Sequence, residues 1–268
     1  MSTPMADHVA QLMNTHRSIR QYKSDPLDET LVGRVLQQAV DGSSSSGNLN
    51  TYSMILTRDR ERKSRLCELH GDQEMINQAP LLITFCADTH RTRRWLRLRG
   101  ARDNFNNFEG FLVSTVDAII LSQSVALAFE SHGLGICYLG TTLWRADEIA
   151  ALLELPETCV PVTSLVVGYP DENPGKRDRL PLRALVHNER YEKRTDEEFL
   201  ALYADREVKG WNRYRAMGGE IIEEMQRLGI TTLAQYYTSE IKYPPEHSIE
   251  VSRRWHELLK AKGFANEG

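Results

Sequence analysis

Three potential cations and one hydroxyl group fall within five consecutive positions near the start of the chain, in the run His16-Arg17-Ser18-Ile19-Arg20. Guanidinium groups form bidentate, charge-assisted hydrogen bonds to phosphate, and a serine hydroxyl can donate to the same oxygen atoms. This segment, called the basic run below, therefore predicts a site for a phosphorylated small molecule. The alternative is a solvated basic turn, and the rest of the chain must decide between the two.

Two amphipathic helices are predicted on either side of the basic run. They cover residues 6–14 and 28–40, and Asp28 is a suitable N-cap for the second. A glycine- and serine-rich segment over residues 42–48 then precedes a predicted strand over residues 52–57. Small side chains leave backbone amides and hydroxyls accessible, so this segment is either a ligand-binding loop or a flexible connector.

The longest helical signal covers residues 109–132 and carries apolar residues around most of its circumference. Such a helix is expected to be buried nearly all round, either as a core helix alone or as one that also crosses a subunit interface. Gly140 follows a predicted strand and would let the backbone approach a ligand closely. The other predicted elements are helices over residues 59–70 and 145–153 and strands over residues 81–87, 136–139 and 160–169.

A second basic segment covers residues 168–181, where Lys176, Arg177 and Arg179 follow a turn rich in glycine and proline. A surface loop of this composition is usually solvated. Together with the basic run, however, it offers a second group of cations for the same phosphate.

Composition narrows the function classes. With 268 residues, 41% hydrophobic and 26% charged, the chain can bury a sizeable core, and a net charge of -4 argues against a nucleic-acid partner. Cys67, Cys86, Cys137 and Cys159 lack metal-ligand spacing and are expected to be reduced core residues of a cytoplasmic protein. No signal for export or membrane spanning is recognised, and the histidines, His70 among them, are expected at the surface or at helix ends.

Five motifs occur in the order seen in the nitroreductase superfamily, and they look most like its A-type branch of oxygen-insensitive nitroreductases and related flavin reductases. The resemblance covers about residues 8–191 and continues more loosely to the end. The motifs are the basic run, the serines at 43–46, Gly71-Asp72-Gln73, residues 133–140 (GLGICYLG) and residues 168–181 (GYPDENPGKRDRLP).

The resemblance implies an α+β fold with three layers, in which helices flank a central mixed β-sheet, and an intertwined homodimer with FMN at the subunit interface. Residues 1–191 would be the FMN-binding core. The helix formers and charge periodicity of residues 192–268 predict a C-terminal helical extension that packs on the dimer, with Trp211, Tyr214, Tyr236 and Tyr237 between its helices.

The resemblance also divides the duties of the basic run. His16, Arg17 and Ser18 would face the ribityl phosphate, and Arg20 would face the N1 and O2 edge of the isoalloxazine ring. A fixed cation there stabilises the anionic hydroquinone that two-electron reduction produces. Loss of Arg20 should therefore lower the flavin potential.

The resemblance assigns further cofactor contacts to a polar loop, one amide, the end of a strand and an arginine pair. These residues are Ser44, Asn50, Gln73, Tyr138, Leu139, Gly140, Arg177 and Arg179. The loop would reach the flavin, in part from the partner subunit, and the amide would reach the pyrimidine ring. The strand-end backbone would face N5, and the arginine pair would close over the phosphate.

The implied function is an FMN-dependent NAD(P)H oxidoreductase that passes two electrons by ping-pong hydride transfer to nitroaromatics, quinones or flavins. NADPH or NADH would be the reductant, small planar electron acceptors would take the electrons, and the chemistry at flavin N5 would need no protein nucleophile and no metal. One alternative is a flavin reductase or another reductive enzyme on the same fold, such as a dehalogenase. Another is a non-catalytic FMN-binding redox module.

Three features depart from the family pattern. Thr141 stands where A-type members commonly have a second glycine, which puts the openness of the backbone near N5 in question. The arginine-rich stretch over residues 91–102 is either a solvated, mobile flap or a lid that attracts anions. Only Arg253 and Arg254 remain near the place where the branch tends to bind the 2'-phosphate of NADPH, so the choice between NADPH and NADH stays open.

Overall fold

The structure is a computed structural model that describes residues 3–266, and these residues form two compact units. The first unit contains residues 3–175 and 251–266, and the second contains residues 176–250. The boundary predicted at residue 191 concerns an extension that packs on a dimer, and it stays a prediction.

A four-stranded sheet with the order β1-β2-β4-β3 forms the centre of the first unit. The strands are β1 (Tyr52–Thr57), β2 (Leu81–Asp88), β3 (Gly135–Leu139) and β4 (Cys159–Gly168). Neighbouring strands pair antiparallel, and Val167 lies between Leu81 and Ile136. The prediction of a mixed sheet is wrong for these four strands, which pair only antiparallel; the parallel pairing between Ser18 and Ile136 is an isolated bridge, because Ser18 lies outside the strands.

Helices cover both faces of this sheet, as expected for three layers. α2 and α6 pack with β2 on one face, whereas α3, α4 and α7 contribute to a second apolar cluster on the other. The helices are α1 (Pro4–Thr15), α2 (Glu29–Gly42), α3 (Arg60–Leu69), α4 (Met75–Gln78), α5 (His90–Leu98), α6 (Phe108–Ser131), α7 (Ala146–Leu152), α8 (Asp196–Met217), α9 (Glu220–Arg227), α10 (Leu233–Tyr237) and α11 (Pro245–Ala261).

Local sequence signals explain where several elements begin. Asp28 caps α2, because its carboxylate accepts a hydrogen bond from the Thr30 N–H at 2.9 Å, as predicted. Asn107 caps α6 in the same way through the Gly110 N–H at 2.9 Å. All eight residues of β2 are buried, which confirms the prediction of a strand that is covered on both faces.

α6 is the central helix of the first unit, but it is not buried nearly all round in the single chain. Its inner face contributes Leu121, Val125 and Phe129, which are fully buried. Its outer face leaves four apolar side chains between 40% and 54% exposed, namely Leu112, Val116, Ile119 and Ile120. We call these four residues the outer face of α6. Among the described residues, α6 is also the one helix long and apolar enough to cross a membrane, but its packing on β2 is that of a core helix.

The arginine-rich stretch is partly ordered into α5, and its interpretation as a solvated flap is wrong for Arg93. This guanidinium is only 7% exposed and donates through Nε and Nη2 to the two carboxylate oxygens of Asp103, at 2.9 and 2.8 Å. Two parallel bonds of this kind fix the geometry of both side chains. The pair ties α5 to the segment that leads into α6.

The second unit has its own small apolar core, built from α8, α9 and α10. Its buried residues are Met225, Ile230, Leu233 and Tyr236. The rings of Tyr214 and Tyr236 lie 4.4 Å apart, so the predicted packing of these aromatic residues between helices is confirmed.

Candidate functional site

The basic run lies alongside the beginning of β3. The Ile19 N–H donates to the Ile136 carbonyl at 2.9 Å, and the Lys23 N–H donates to the Tyr169 carbonyl at 3.0 Å. Glu172 accepts hydrogen bonds from the backbone N–H groups of Arg20 and Gln21. The turn that follows β4 therefore holds the backbone of the basic run in place.

Two side chains of the run are already engaged within the protein. His16 Nδ1 lies 2.7 Å from a carboxylate oxygen of Glu130, near the end of α6. Arg17 donates to the side-chain oxygen of Asn173 and, through Nε, to the Thr15 carbonyl at 3.1 Å. Its acceptors are neutral, so these bonds orient the guanidinium without cancelling its charge.

Ser18 and Arg20 lie beside β3, next to the buried thiol of Cys137. Burial raises the pKa of this thiol, while the Arg20 cation and a hydrogen bond with Ser18 act in the opposite direction. The exposed Arg20 guanidinium donates a hydrogen bond to the Ser18 carbonyl at 3.4 Å. Among residues 3–266, neither Arg17 nor Arg20 pairs its guanidinium with a carboxylate, so the run keeps two cations for an anionic ligand.

The serine loop is organised by Asp117, a residue of α6 that sequence reasoning missed. This carboxylate is 1% exposed and accepts from the Ser46 N–H at 2.9 Å, the Ser46 hydroxyl at 3.1 Å and the Thr51 hydroxyl at 2.7 Å. Ser44 is exposed, and the Asn50 N–H donates to the Ser45 hydroxyl at 2.7 Å. The segment is thus an ordered loop. The sequence signal for its contact with α6 was a single carboxylate within an apolar helix.

The end of β3 leaves room for a ligand at Gly140. A methyl group placed on Gly140 would meet no atom within 4 Å, so space is open at this position. The Leu139 side chain is buried, and its carbonyl accepts from the Thr142 hydroxyl at 2.8 Å. The Tyr138 hydroxyl donates to Ser122 at 3.1 Å, which turns its side chain toward α6. Residues 138–140 can therefore offer backbone rather than side chains to a ligand.

A compact polar cluster lies beside Gly140. Gln73 donates through Nε2 to the His70 carbonyl at 3.0 Å and to the Thr141 hydroxyl oxygen at 2.8 Å. His70 Nδ1 lies 2.9 Å from the same oxygen. We call Thr141, Gln73 and His70 the Thr141 cluster.

His70 follows the last residue of α3, as expected for a helix end, but the alternative of a surface position is wrong. Its side chain is fully buried, and burial lowers its pKa to about 4. The ring is therefore neutral at pH 7. Among the described residues its Nε2 atom has no hydrogen-bond partner.

Arg177 and Arg179 belong to the second unit, and their role at the phosphate stays a prediction. Arg179 is exposed and donates to the carbonyls of Arg177 and Asp178, at 3.2 and 3.0 Å.

The two candidate contacts for the 2'-phosphate of NADPH are engaged with carboxylates. Arg254 lies 2.5 Å from Asp147 and 2.6 Å from Glu148, and hydrogen bonding to Asp147 raises its pKa. Arg253 lies 2.6 Å from Glu257. Neither side chain is a ready partner for an added phosphate.

All four cysteines are free and buried, as predicted. Within residues 3–266, no three or more His, Cys, Asp or Glu side chains form a group that could hold a metal ion. The candidate site contains two cations, polar loops and an open space beside Gly140.

Comparison with known proteins gives concordant matches. The model of the Nitroreductase family matches residues 13–169. FMN reductase (NAD(P)H) from Bacillus subtilis (strain 168) is 31% identical over 265 residues, which are 97% of this chain and 99% of that protein. Cr(VI) reductase from Pseudomonas sp. (strain G-1) is 30% identical over 197 residues, which are 74% of this chain and 81% of that protein.

Comparison with solved structures points to the same family. The solved structure of B. megaterium NfrA2 superposes with a TM-score of 0.80 at 30% identity, and the match covers 97% of this chain and 99% of that one. Because the family model matches more than half of the chain and a relative of this identity matches nearly its full length, the chain belongs to the nitroreductase family.

Proposed function

We propose that the protein is an FMN-dependent NAD(P)H oxidoreductase that passes two electrons to small planar acceptors such as nitroaromatics, quinones and free flavins. The names of its relatives support this reaction class, since they include an FMN reductase that uses NAD(P)H and a Cr(VI) reductase. The alternative of a non-catalytic redox module has no such support.

The observation that carries the proposal is the place of the basic run and the charge that it keeps there. The run bridges β3 at Ser18 and Ile136, and it then pairs with the turn after β4 at Tyr22 and Pro170. Among residues 3–266, the guanidinium groups of Arg17 and Arg20 have no carboxylate partner. Two ordered cations beside β3 suit a ligand that carries a phosphate.

The residues present fit FMN in their chemistry. Arg17 and Arg20 supply cations that have no carboxylate partner within the part of the chain that the structure describes, and Gly140 borders open space for a flat ring. Both N–H groups of the Gln73 amide are used inside the protein, so its oxygen is left to accept a hydrogen bond. The flavin imide N–H is a donor that such an oxygen can bind.

FMN, when bound, accepts hydride from a reduced nicotinamide and passes two electrons on. The protein needs no nucleophile of its own for this chemistry. Arg20 would place a positive charge near the part of the ring that becomes negative on reduction, and Gly140 would let the backbone approach the ring. Ser44 and Asn50, in the loop held by Asp117, are proposed as further polar contacts.

The outer face of α6 supports the proposed homodimer. Leu112, Val116, Ile119 and Ile120 follow helical spacing and form one apolar stripe on a helix that is otherwise packed in the core. Exposed stripes of this kind mark interaction surfaces, and a second copy of the same stripe is complementary to it across a two-fold axis.

The dimer is tested with Ile119→Glu. A buried carboxylate on this stripe should convert the dimer to a monomer in light-scattering measurements and reduce FMN retention. Val208→Glu, a change at an exposed apolar residue of α8, is the control that should leave the mass unchanged. A wild-type protein that is monomeric at micromolar concentration would contradict the proposal.

The function is tested by loading purified protein with FMN and adding NADPH or NADH without oxygen. We expect rapid bleaching of the flavin band with at least one nucleotide, followed by recovery when nitrofurazone, a quinone or free FMN is added. Steady-state rates across these acceptors then rank the oxidants. Stable FMN binding without turnover would support the redox module instead.

A further inference from the structure

The hydroxyl of Thr141, the residue that follows Gly140, lies in an unusual environment. Its oxygen is approached by two nitrogen atoms, Gln73 Nε2 at 2.8 Å and His70 Nδ1 at 2.9 Å. A hydroxyl oxygen has two lone pairs and carries one hydrogen. The direction of that hydrogen depends on which of the two neighbours are donors.

The Gln73 amide is a donor to this oxygen. The same nitrogen lies 3.0 Å from the His70 carbonyl, which can only accept. The amide group must therefore turn its nitrogen, not its oxygen, toward both atoms. This orientation occupies one lone pair of the Thr141 oxygen.

The His70 ring is also best described as a donor. The ring is fully buried and neutral at pH 7, so one nitrogen carries hydrogen and the other does not. Nε2 has no partner among the described residues. A buried N–H without a partner costs more than a buried lone pair without one, so the hydrogen belongs on Nδ1, where Thr141 accepts it.

With both lone pairs occupied, the Thr141 hydroxyl can act only as a donor to a third group. Thr141 is half-buried, and the adjoining Gly140 borders open space. Next to it, the free oxygen of Gln73 can only accept. The Thr141 cluster therefore presents one donor beside one acceptor, which complements an imide, where a carbonyl oxygen stands next to an N–H.

We propose that Thr141 binds the flavin by donating its hydroxyl hydrogen to the imide carbonyl at C4, on the side of the imide N–H away from the N1 and O2 edge expected for Arg20, and that His70 is a positioning residue that fixes this direction. The inference rests on the proposed function, because it requires FMN in this space. The carbonyl gains negative charge when the ring is reduced, so the donor stabilises the reduced form more than the oxidised form.

The test compares Thr141→Val, which removes the hydroxyl, with Thr141→Ser, which keeps it. We expect Thr141→Val to raise the dissociation constant of FMN for the apoprotein about 2- to 10-fold, the worth of one hydrogen bond, and to make the midpoint potential more negative. Thr141→Ser should stay close to wild type in both measurements.

A flavin analogue with sulfur in place of that carbonyl oxygen makes the test specific. Sulfur is a weak acceptor, so wild type and Thr141→Val should bind 4-thio-FMN with similar dissociation constants. His70→Phe should weaken FMN binding in the wild-type background and have no further effect in the Thr141→Val background, because His70 acts through Thr141.

The inference is overturned if wild type binds FMN and Thr141→Val binds it equally well at the same potential, even when the variant unfolds more easily. That pattern would leave Thr141 a purely structural role. If the wild-type protein binds no FMN at all, the proposed function fails instead, so the two failures are distinguishable.

Discussion

Replacement of Asp117 by alanine should both destabilise the fold and loosen the serine loop. The Asp117 carboxylate is buried within α6 and accepts three hydrogen bonds, two from Ser46 and one from Thr51. Alanine removes all three acceptor contacts. The variant therefore measures how strongly the loop is held.

The expected loss of stability follows from how deeply the two partners of Asp117, Thr51 and Ser46, are buried. Thr51 is 1% exposed, so its hydroxyl keeps no partner, and a hydrogen bond to a charged group is worth about 2 kcal/mol. Ser46 is exposed, so water replaces most of its two bonds and each costs about 0.5 kcal/mol. Asp117→Ala should lower the free energy of unfolding by about 3 kcal/mol.

Asp117→Asn is the matched control. The amide oxygen can still accept from Ser46, and the amide nitrogen can donate to the Thr51 hydroxyl, which accepts as readily as it donates. We expect a loss of about 1 kcal/mol or less, since only the charge assistance disappears.

The assay is urea unfolding of the apoprotein at one fixed protein concentration, together with the dissociation constant of FMN. A stability change should shift the midpoint without changing the slope. The reasoning is refuted if Asp117→Ala is within 1 kcal/mol of wild type, or if the asparagine variant loses as much as the alanine variant.

Three further predictions concern the ion pair between Arg93 and Asp103, the packing of Gly135 against the basic run, and Arg20. The hydrogen bond with Arg93 lowers the pKa of Asp103, so the pair stabilises the fold above about pH 4 and this contribution is lost as the pH falls below that value. Asp103→Asn should therefore lower the free energy of unfolding by about 1–2 kcal/mol at pH 7. It should also make that free energy depend less on pH in the acid range. Gly135→Ala should cost about 1–3 kcal/mol in urea unfolding, because the new methyl group would lie 2.8 Å from Cγ1 of Ile19. Arg20→Gln should make the midpoint potential of bound FMN more negative in spectroelectrochemical titration.

Each of these three predictions has a control in the chain. Asp205→Asn removes an exposed carboxylate and should leave the pH dependence of stability in the acid range unchanged. Gly33→Ala, in α2 with no atom within 4 Å of the added methyl group, should not lower stability. Arg34→Gln, at an exposed position of α2, should leave the potential unchanged. An equal effect in a control and its test variant would contradict the corresponding argument.

Much of the fold could be predicted from the residue types of short segments. The residues of β1 and the cap at Asp28 follow from side-chain preference, which acts within a few residues. The basic run could be recognised as an anion site because guanidinium groups keep their chemistry in any fold. Its place beside β3 could not be predicted, since it depends on a pairing between residues 18 and 136.

The interpretations that failed depend on partners distant in the chain. Arg93 looked solvated, because the sequence does not show that Asp103 returns to it. His70 follows the end of α3, as one alternative predicted, but the surface position is wrong because α3 ends in the interior. For α6, apolar composition predicted burial but could not tell a protein core from a subunit contact.

The two roles of α6 have a consequence for handling the protein. Val116 lies on its outer face, and the adjacent Asp117 holds the serine loop from the inner face, so one turn of helix serves assembly and the loop together. If the outer face is the subunit contact proposed above, dilution that separates the subunits also releases the restraint on that loop. Bound flavin would then be shed on dilution, and the yellow colour of a serially diluted sample would fade faster than concentration alone dictates.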